Sequence, residues 1–394
     1  MPGPLDGYRV VEIAEGVAGP YTAMSLGDAG ADVIKIEQPT GDRARGWSPQ
    51  TQSGTSALFQ ALNRNKRGIM LDWSSESDLE TARQLLASAD VAIVDKVGLS
   101  GELSWETLDA PGLVYCAMSG FGPHGPWSDN PMSELAAQLA SEATASLGTI
   151  GEEPVRHGGD LGSMYASNYA LQAICAGLYA RDDSDPSAPT DGQRIEVSLF
   201  GSLLAMRSTL WVALSNPDEW WGFHLDSYVK PPDHGYQCRD LPIYFSLARI
   251  RGNAFESLID ELGMEWARAC PDFDRLRTDG AGGAGRYAAE LKLLWERGFA
   301  NFDAERVIEI VERHGGWAFP MHDYERLSRD PQVAAVGAII AVEQGDGSML
   351  QQVAPPWDFE GTPVSMNMRA APSLGEHQDE VLAELHSSGA DEGR

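Results

Sequence analysis

The fold class is decided by residues 8–37, which read YRVVEIAEGVAGPYTAMSLGDAGADVIKIE. A short run of β-branched residues at 8–13 is followed by apolar residues at helical spacing from Tyr21 to Leu26, and then by a second β-rich run at 31–37. A strand, a helix and another strand in this order form a βαβ unit, and βαβ units build parallel sheets. The stretch therefore predicts an α/β domain at the start of the chain.

The same alternation continues further along the chain. Short β-rich runs lie at 68–71, 91–94 and 112–118, and a helical stretch with Leu79 and Leu85 separates the first two. These runs extend the predicted sheet, and the ligands of such sheets bind beyond the carboxyl ends of the strands. The loops at that edge are the places to look for a site, and they are 15–20, 38–47, 71–74, 95–98 and 119–125.

A glycine-rich turn at 158–162 precedes a long apolar helix that is predicted at 164–181. The sequence from His157 is HGGDLG, in which Asp160 is the carboxylate. An Asp in this place is an ordinary helix N-cap that accepts from the first free amides. Alternatively it is a nucleophile, with free amides nearby to stabilise an oxyanion and glycines that let a bulky thioester approach.

The length of 394 residues is too great for one ordinary hydrophobic core, so two domains are expected. The irregular stretch at 216–242, rich in Pro, Trp and His, marks the entry to the second domain. Its helices are predicted at 254–262, 285–296 and 303–314. A further helix is predicted at 133–147, and the tail at 386–394 is predicted to be disordered.

Composition excludes several classes of protein. With 43% hydrophobic and 22% charged residues, the chain is an ordinary globular protein. Its formal net charge of −29 argues against nucleic acid and anionic membranes as partners. No stretch approaches the ~18 uninterrupted apolar residues of a membrane span, and the N-terminus has no secretory signal. These features predict a cytoplasmic protein.

The cysteines and histidines give no sign of a metal site. Cys116, Cys175, Cys238 and Cys270 are widely spaced, and neither a CxxC nor an HxxxH pattern occurs. The cysteines are therefore expected to be buried or incidental thiols in a reducing compartment.

Several motifs follow one another along nearly the whole chain. They are AGP at 18–20, GADVIKIE at 30–37, GDRARGW at 41–47, NRNKR at 63–67 and LGEHQDEVLAEL at 374–385. In this order and at about this spacing, they resemble the class III (CaiB/BaiF-type) coenzyme A transferases, the family of formyl-CoA:oxalate and carnitine CoA-transferases and of α-methylacyl-CoA racemase. Any one motif would be weak support, whereas the ordered set is strong support.

The resemblance implies an α/β fold of two interlocked rings, in which each subunit has a large Rossmann-like domain and a smaller α/β domain. It places the large CoA-binding domain at 1–215, the linker and small domain at 216–325, and the return linker with the C-terminal part of the large domain at 326–394. A homodimer is expected by default, and a heteromer is the alternative.

The resemblance also implies the chemistry. Asp160 matches the family nucleophile, which attacks an acyl-CoA thioester and passes through an anhydride and an aspartyl-CoA thioester. The substrates would be an acyl-CoA and a small carboxylic acid, with no permanently bound cofactor and no metal. Arg156 and His157 are candidates to meet the acceptor carboxylate.

The positions that the resemblance assigns to coenzyme binding are Val17, Ala18, Arg43, Leu71, Asp72, Ser74, Asp95 and Lys96. Two of them depart from the family pattern, because Ser74 replaces a usual Lys and Asp95 replaces a usual Asn. The coenzyme phosphates need local cations in so acidic a protein. The candidates are Lys96, Arg43, Arg45, Lys66 and Arg67, although the GDRARGW and NRNKR residues could instead hold loops by pairing with carboxylates.

Three alternatives to an active homodimeric transferase remain open. The altered coenzyme positions fit a subunit of a hetero-oligomeric transferase, or a non-catalytic binding protein, although Asp160 in its glycine turn speaks against the latter. A 2-methylacyl-CoA racemase is less favoured, because Pro131-Met132-Ser133-Glu134 stands where the racemases carry a His. The aromatic residues at 220–224 suggest either cation–π binding of a quaternary acceptor or a packed linker.

Overall fold

The computed structural model describes residues 3–52, 54–95, 101–146, 153, 155–183, 192–213, 215–216, 235–247, 249–250, 252–278, 289–364 and 368–391. The chain divides into two compact units. The larger comprises Met1–Gly148, Glu153–Ser208 and Gln332–Arg394, and the smaller comprises Thr149–Glu152 and Thr209–Pro331. The C-terminal segment thus belongs to the larger unit.

Within the described residues, the larger unit contains a six-stranded parallel sheet in the order β3-β2-β1-β4-β5-β6. The strands are β1 (Arg9–Ile13), β2 (Asp32–Glu37), β3 (Lys66–Met70), β4 (Val91–Val94), β5 (Val114–Ser119) and β6 (Gln193–Ser198). The strand order reverses between β1 and β4, which lie side by side. Such a reversal opens a crevice at the carboxyl ends of the two strands, so that edge is where a ligand is expected.

Helices cover both faces of this sheet, because successive strand residues point to opposite sides. Val10 packs on one side with α1 (Ala18–Asp28) and α5 (Leu161–Asp182). Val11 packs on the other side with α3 (Glu76–Ala87) and α14 (Gln378–Asp391). The remaining helices of this unit include α2 (Ala57–Leu62), α4 (Glu134–Ala140), α6 (Leu199–Met206) and α13 (Pro331–Ala335), of which α13 begins at the last residue of the smaller unit. A hairpin of β10 (Ile339–Glu343) and β11 (Met349–Val353) completes it.

Two helices differ from the sequence-based expectation. The helix predicted at 133–147 ends at Ala140, since Glu142 has a φ of 62°, a left-handed conformation that an α-helix cannot continue through. The prediction of a disordered tail is wrong as far as Asp391, because α14 runs to that residue. Its first turns are held to β3 by ion pairs from Arg67 to Glu380 at 2.9 Å and to Glu384 at 2.7 Å.

The smaller unit is a separate α/β structure with an aromatic core. Its antiparallel sheet contains β7 (Tyr236–Gln237), β8 (Pro242–Ser246) and β9 (Trp317–Pro320). Phe245 on β8 contacts Trp295 and Phe299, at ring-centroid distances of 5.0 and 5.3 Å. The helices are α7 (Ser208–Ala213), α8 (Ala254–Glu261), α9 (Phe273–Thr278), α10 (Ala289–Phe299), α11 (Ala304–Arg313) and α12 (Tyr324–Leu327). The predicted class, a Rossmann-like larger part with a smaller α/β part, is confirmed.

Candidate active site

Asp160 lies at the N-cap position of α5, with φ −82° and ψ 64°, yet its side chain accepts no capping hydrogen bond. Arg156 approaches it instead, with Nη2 3.4 Å from Asp160 Oδ1. The Asp160 side chain is 27% exposed. Burial raises the pKa of this carboxyl, the charge of Glu134 raises it further, and Arg156 lowers it. The interpretation of Asp160 as an ordinary capping residue is therefore wrong.

Glu134 caps α5 in its place. Its Oε1 accepts from the backbone N of Gly162 at 2.8 Å, and its Oε2 accepts from the backbone N of Ser163 at 2.8 Å and from Ser163 Oγ at 2.7 Å. These are the second and third amides of the helix, which an N-cap carboxylate ordinarily takes. The expectation that free amides at this helix start would stabilise an oxyanion is thus wrong for Gly162 and Ser163.

The glycines of the turn serve two different purposes. A Cβ on Gly158 or Gly159 would meet nothing within 4 Å, so both leave open space beside Asp160. A Cβ on Gly162 would lie 3.1 Å from Leu203 Cδ1 and 3.2 Å from Glu134 Oε1. Gly162 is therefore what allows the Glu134 carboxylate to reach the helix.

The predicted coenzyme loop lies on the same side of the sheet as α5. Ser167, two turns after Asp160, donates from Oγ to the carbonyl of Ala18 at 2.7 Å. Val17 and Ala18 are 7% and 1% exposed, and Leu71 is 2% exposed. The side chains of these three residues are therefore closed to a ligand.

Three polar residues at the predicted coenzyme positions, Asp72, Ser74 and Asp95, are engaged in local hydrogen bonds. Asp95 is 7% exposed, and its Oδ2 accepts from the backbone N of Glu15 at 3.0 Å. Asp72 Oδ1 accepts from the backbone N of Ser74 at 2.8 Å and from its Oγ at 2.7 Å, which lowers the pKa of Asp72. Of the other two polar positions, Lys96 lies outside the described residues and Arg43 is exposed.

Three of the candidate phosphate-binding cations are engaged inside the protein. Arg45 pairs with Glu37 at 2.6 Å, Lys66 with Glu12 at 2.7 Å, and Arg67 with Asp32 at 2.6 Å. These ion pairs favour the alternative that the three residues hold loops and strands, because a carboxylate already neutralises each cation and because Lys66 and Arg67 are buried.

Arg43 is the candidate cation that stays accessible among the described residues. Its side chain is 51% exposed, its guanidinium lies 5.7 Å from the Trp47 ring centroid, and its Nε lies 3.9 Å from Glu15 Oε2. An exposed Arg of this kind can meet a phosphate or carboxylate in bidentate fashion. The predicted coenzyme contact at Arg43 is therefore geometrically open.

A fully buried charge network supports the loop after β1. Lys35 lies 2.9 Å from Glu12 and 3.0 Å from Asp42, and Lys66 shares Glu12. Asp42 Oδ1 in turn accepts from the backbone N of Gly16 at 3.1 Å. Burial disfavours the charge on Lys35, but Glu12 and Asp42 outweigh it and raise the pKa of Lys35. Burial lowers the pKa of Lys66 to about 8, against the pull of Glu12.

Sequence reasoning missed this network, although a signal was present. Glu12 and Lys35 are charged residues inside the apolar strand runs VVEI and VIKIE, where an inward-facing charge requires a partner. Both are fully buried. Their ion pair joins the neighbouring strands β1 and β2, just before the loop that follows β1.

The crevice at the carboxyl ends of β1, β2 and β4 is acidic. Its lining consists of Ile13, Ala14, Glu15, Ile36, Glu37, Gln38, Trp73 and Asp95. Burial raises the pKa of Glu15, and the neighbouring charges of Asp42 and Asp95 raise it further. Among the described residues, this lining contains three carboxylates and no cation, and Glu37 is paired with Arg45.

Neither a membrane-spanning helix nor a metal-binding cluster occurs among the described residues. No helix among them is long and apolar enough to cross a membrane. No group of His, Cys, Asp and Glu side chains among them is arranged to hold a metal ion.

Comparison with known proteins agrees with the motifs. The model of CoA-transferase family III matches residues 5–378. Succinate–glutarate CoA-transferase of Agrobacterium fabrum is 30% identical over 98% of this chain and 96% of that protein. Succinyl-CoA–D-citramalate CoA-transferase of Chloroflexus aurantiacus is 27% identical over 98% of this chain and 94% of that protein. A crystal structure of a CaiB/BaiF family protein from Brucella suis superposes with a TM-score of 0.80, at 27% identity over 98% of this chain and 100% of that one.

The family match covers most of the chain, and the matched Agrobacterium protein is aligned over nearly its full length. The resemblance drawn from the motifs is confirmed. The chain belongs to CoA-transferase family III, and it is an enzyme of the class III CoA-transferases.

Proposed function

We propose that this enzyme moves coenzyme A from an acyl-CoA to a carboxylic acid, with Asp160 as the nucleophile. The observation that carries the proposal is the state of the Asp160 carboxylate, which is partly exposed and makes no hydrogen bond to the helix that it precedes. An ordinary Asp is ionised at neutral pH and needs no base to activate it. The open space at Gly158 and Gly159 gives a thioester access to it.

The first half of the reaction transfers the coenzyme to the protein. An oxygen of Asp160 attacks the thioester carbonyl, the C–S bond breaks, and CoA leaves as its thiolate, which gives an aspartyl–acyl anhydride. The thiolate then attacks the aspartyl carbonyl of the anhydride. The C–O bond to the bridging oxygen breaks, the donor leaves as a carboxylate, and Asp160 carries CoA as a thioester.

The second half repeats these steps in reverse order. The acceptor carboxylate attacks the aspartyl thioester, forms an anhydride and releases the CoA thiolate. The thiolate attacks the acceptor carbonyl, which yields the acceptor thioester and restores the Asp160 carboxylate. No net proton transfer is required, because a carboxylate and a thioester enter and a carboxylate and a thioester leave.

Arg156 supports a carboxylate acceptor at this place. Its guanidinium is half exposed and lies 3.4 Å from Asp160 Oδ1, so it can bind an anion beside the nucleophile. We assign a short dicarboxylate as the acceptor class, since the relatives described above are named for succinate, glutarate and D-citramalate. The second carboxylate of such an acid would need a cation of this kind.

The test is an intact-mass spectrum after incubation with succinyl-CoA. Wild-type protein should gain the mass of a CoA adduct, which hydroxylamine should convert to a hydroxamate at Asp160. Asp160→Ala should gain no adduct, whereas Asp183→Asn, a control at the other end of the same helix, should behave as wild type. An adduct of equal yield on Asp160→Ala would refute the assignment.

A second candidate is a transferase subunit that relies on a partner chain for its coenzyme. The observation in its favour is the acidic crevice at Asp95, which stands where the family resemblance implies an amide, together with Ser74, which stands where the resemblance implies a Lys. Calorimetry with free CoA separates the two candidates. Micromolar binding by the chain alone favours the self-sufficient enzyme, and undetectable binding favours the subunit.

A further inference from the structure

Glu134 is the first residue of α4 and accepts three hydrogen bonds from Gly162 and Ser163. In α5 these residues hold the second and third amides, and Asp160 holds the N-cap position. A carboxylate is most stable at such a helix start, because the amide N–H groups and the helix dipole favour negative charge there. Asp160 would otherwise take these bonds itself.

Gln138 extends this contact to the glycine turn. Its side chain is fully buried, and Nε2 donates to Glu134 Oε1 at 2.7 Å and to the carbonyl of Gly159 at 3.2 Å. Gln138 thereby fixes Gly159, which precedes Asp160, and Glu134 fixes Gly162 and Ser163, which follow it. The backbone of Asp160 is held on both sides.

We propose that Glu134 is a positioning residue for Asp160: it occupies the helix amides that Asp160 would otherwise bind and keeps the Asp160 carboxylate directed toward the substrate. Gln138 assists by holding the turn. The inference rests on the proposed role of Asp160 as the nucleophile. A carboxylate that accepted two amide hydrogen bonds would be a weaker nucleophile, since its lone pairs would already be engaged.

The charges around Asp160 determine the direction in which its pKa should change when Glu134 is replaced. Glu134 on α4 raises the pKa of Asp160, and Arg156 in the preceding turn lowers it. The other helices packed against α5 are α1 and α6, and α6 has no titratable side chain. Helix α1 contributes Tyr21 and Asp28, of which Asp28 is paired with Arg64 at 2.6 Å.

Removing the charge of Glu134 should lower the pKa of Asp160 for two reasons. A like charge disappears, and the Asp160 carboxylate gains access to the vacated amides, whose hydrogen bonds favour its ionised form. The first of these effects requires only the charge of Glu134, so the kinetic measurement distinguishes positioning from the effect of charge alone.

The test uses Glu134→Gln, which is isosteric but cannot accept from both amides. Carbodiimide and an amine label protonated carboxyl groups, and peptide mass spectrometry then reports the labelling of Asp160 as a function of pH without any substrate. The midpoint for Asp160 should move to lower pH in Glu134→Gln. Glu142→Gln, which removes the same charge from an exposed site nearby, should leave it unchanged.

Kinetics provide the second readout. Glu134→Gln should lower kcat for succinyl-CoA-dependent transfer by about 10- to 100-fold, with a much smaller change in KM, because misplacement of a reacting group affects the chemical step. Gln138→Met, which loses the bond to Gly159, should change both readouts in the same direction by less. Because Gln138→Met leaves Glu134 in place, it tests the inference even if Glu134→Gln fails to fold.

Wild-type kcat in both variants would overturn the inference, whether or not the labelling midpoint moves. Failure of the proposed function looks different, since wild-type protein would then form no CoA adduct at Asp160. The labelling midpoint would still decide whether Glu134 governs the Asp160 carboxylate.

Discussion

Asp95 Oδ2 accepts a hydrogen bond from the backbone N of Glu15 at 3.0 Å. The bond joins the end of β4 to the loop after β1, at the two strands between which the sheet order reverses. A position that the family resemblance assigns to coenzyme contact is thus used to hold the loop itself. It also places a buried carboxylate at a position that the family resemblance assigns to the coenzyme.

The affinity for CoA should rise when the edge of the sheet near Asp95, at the carboxyl ends of its strands, is made less acidic. The double variant Ser74→Lys with Asp95→Asn adds a cation at an exposed position and removes a charge, while the Asn oxygen can still accept from Glu15. One charge-assisted hydrogen bond contributes roughly 1.5–3 kcal/mol, so CoA should bind about 10- to 100-fold more tightly. Calorimetry measures the change. Ser88→Lys, at the far end of α3, is the charge control and should give no gain.

Asp160→Ala should leave the stability of the protein nearly unchanged. Its carboxylate makes no capping bond, and burial disfavours its charge. Loss of a working N-cap costs roughly 0.5–2 kcal/mol, and that loss should instead appear in Glu134→Gln. Thermal unfolding of the two variants measures the difference. A larger loss for Asp160→Ala than for Glu134→Gln would contradict the capping arrangement.

Activity should fall on acidification at a higher pH than an ordinary Asp would give. Burial and Glu134 raise the pKa of Asp160, and the nucleophile must be ionised, so activity is lost as the pH falls through that raised pKa. Arg156→Gln should move this acid limb to still higher pH, because Arg156 lowers the pKa. The pH profile of kcat/KM is the measurement. Arg329→Gln, which removes another exposed arginine paired with a carboxylate, should leave the limb in place.

The stability of the protein should depend on the charge balance of the buried network that Glu12, Lys35, Asp42 and Lys66 form. Lys66→Met leaves Glu12 and Asp42 with Lys35 alone, so one negative charge is buried without compensation. Breaking such a network costs roughly 3–5 kcal/mol. The double variant Glu12→Gln with Lys66→Met restores neutrality and should recover more than half of the loss. Denaturant unfolding tests this, and simple additivity of the two single changes would argue against coupling.

The chain expressed alone should form a homodimer. The hairpin of β10 and β11 exposes Ile339, Met349 and Val353 by 36%, 59% and 71%, an apolar surface that is available to a second copy. Light scattering should give about twice the chain mass of 42.6 kDa. A stable monomer would refute the interlocked arrangement that the family resemblance implies.

The sequence by itself determined the sheet and the place of the proposed nucleophile. Runs such as RVVEI and DVIKIE became β1 and β2, because a short run rich in β-branched residues is a local property that neighbouring residues already fix. Asp160 could be located in the same way, since a glycine turn before an apolar helix and a set of ordered motifs are both visible without coordinates.

Only the tertiary structure decided what each charged side chain does. The amides at the start of α5 are taken by Glu134, from 28 residues earlier, and Arg67 is taken by Glu384, from 317 residues later. An ion pair or cap forms only when folding brings two distant groups within about 3 Å, and side-chain type gives no measure of that distance. Local spacing therefore predicted the strands and Asp160, whereas the partners of Glu134, Lys66, Arg67 and Asp95 depended on the packing of segments far apart in the chain.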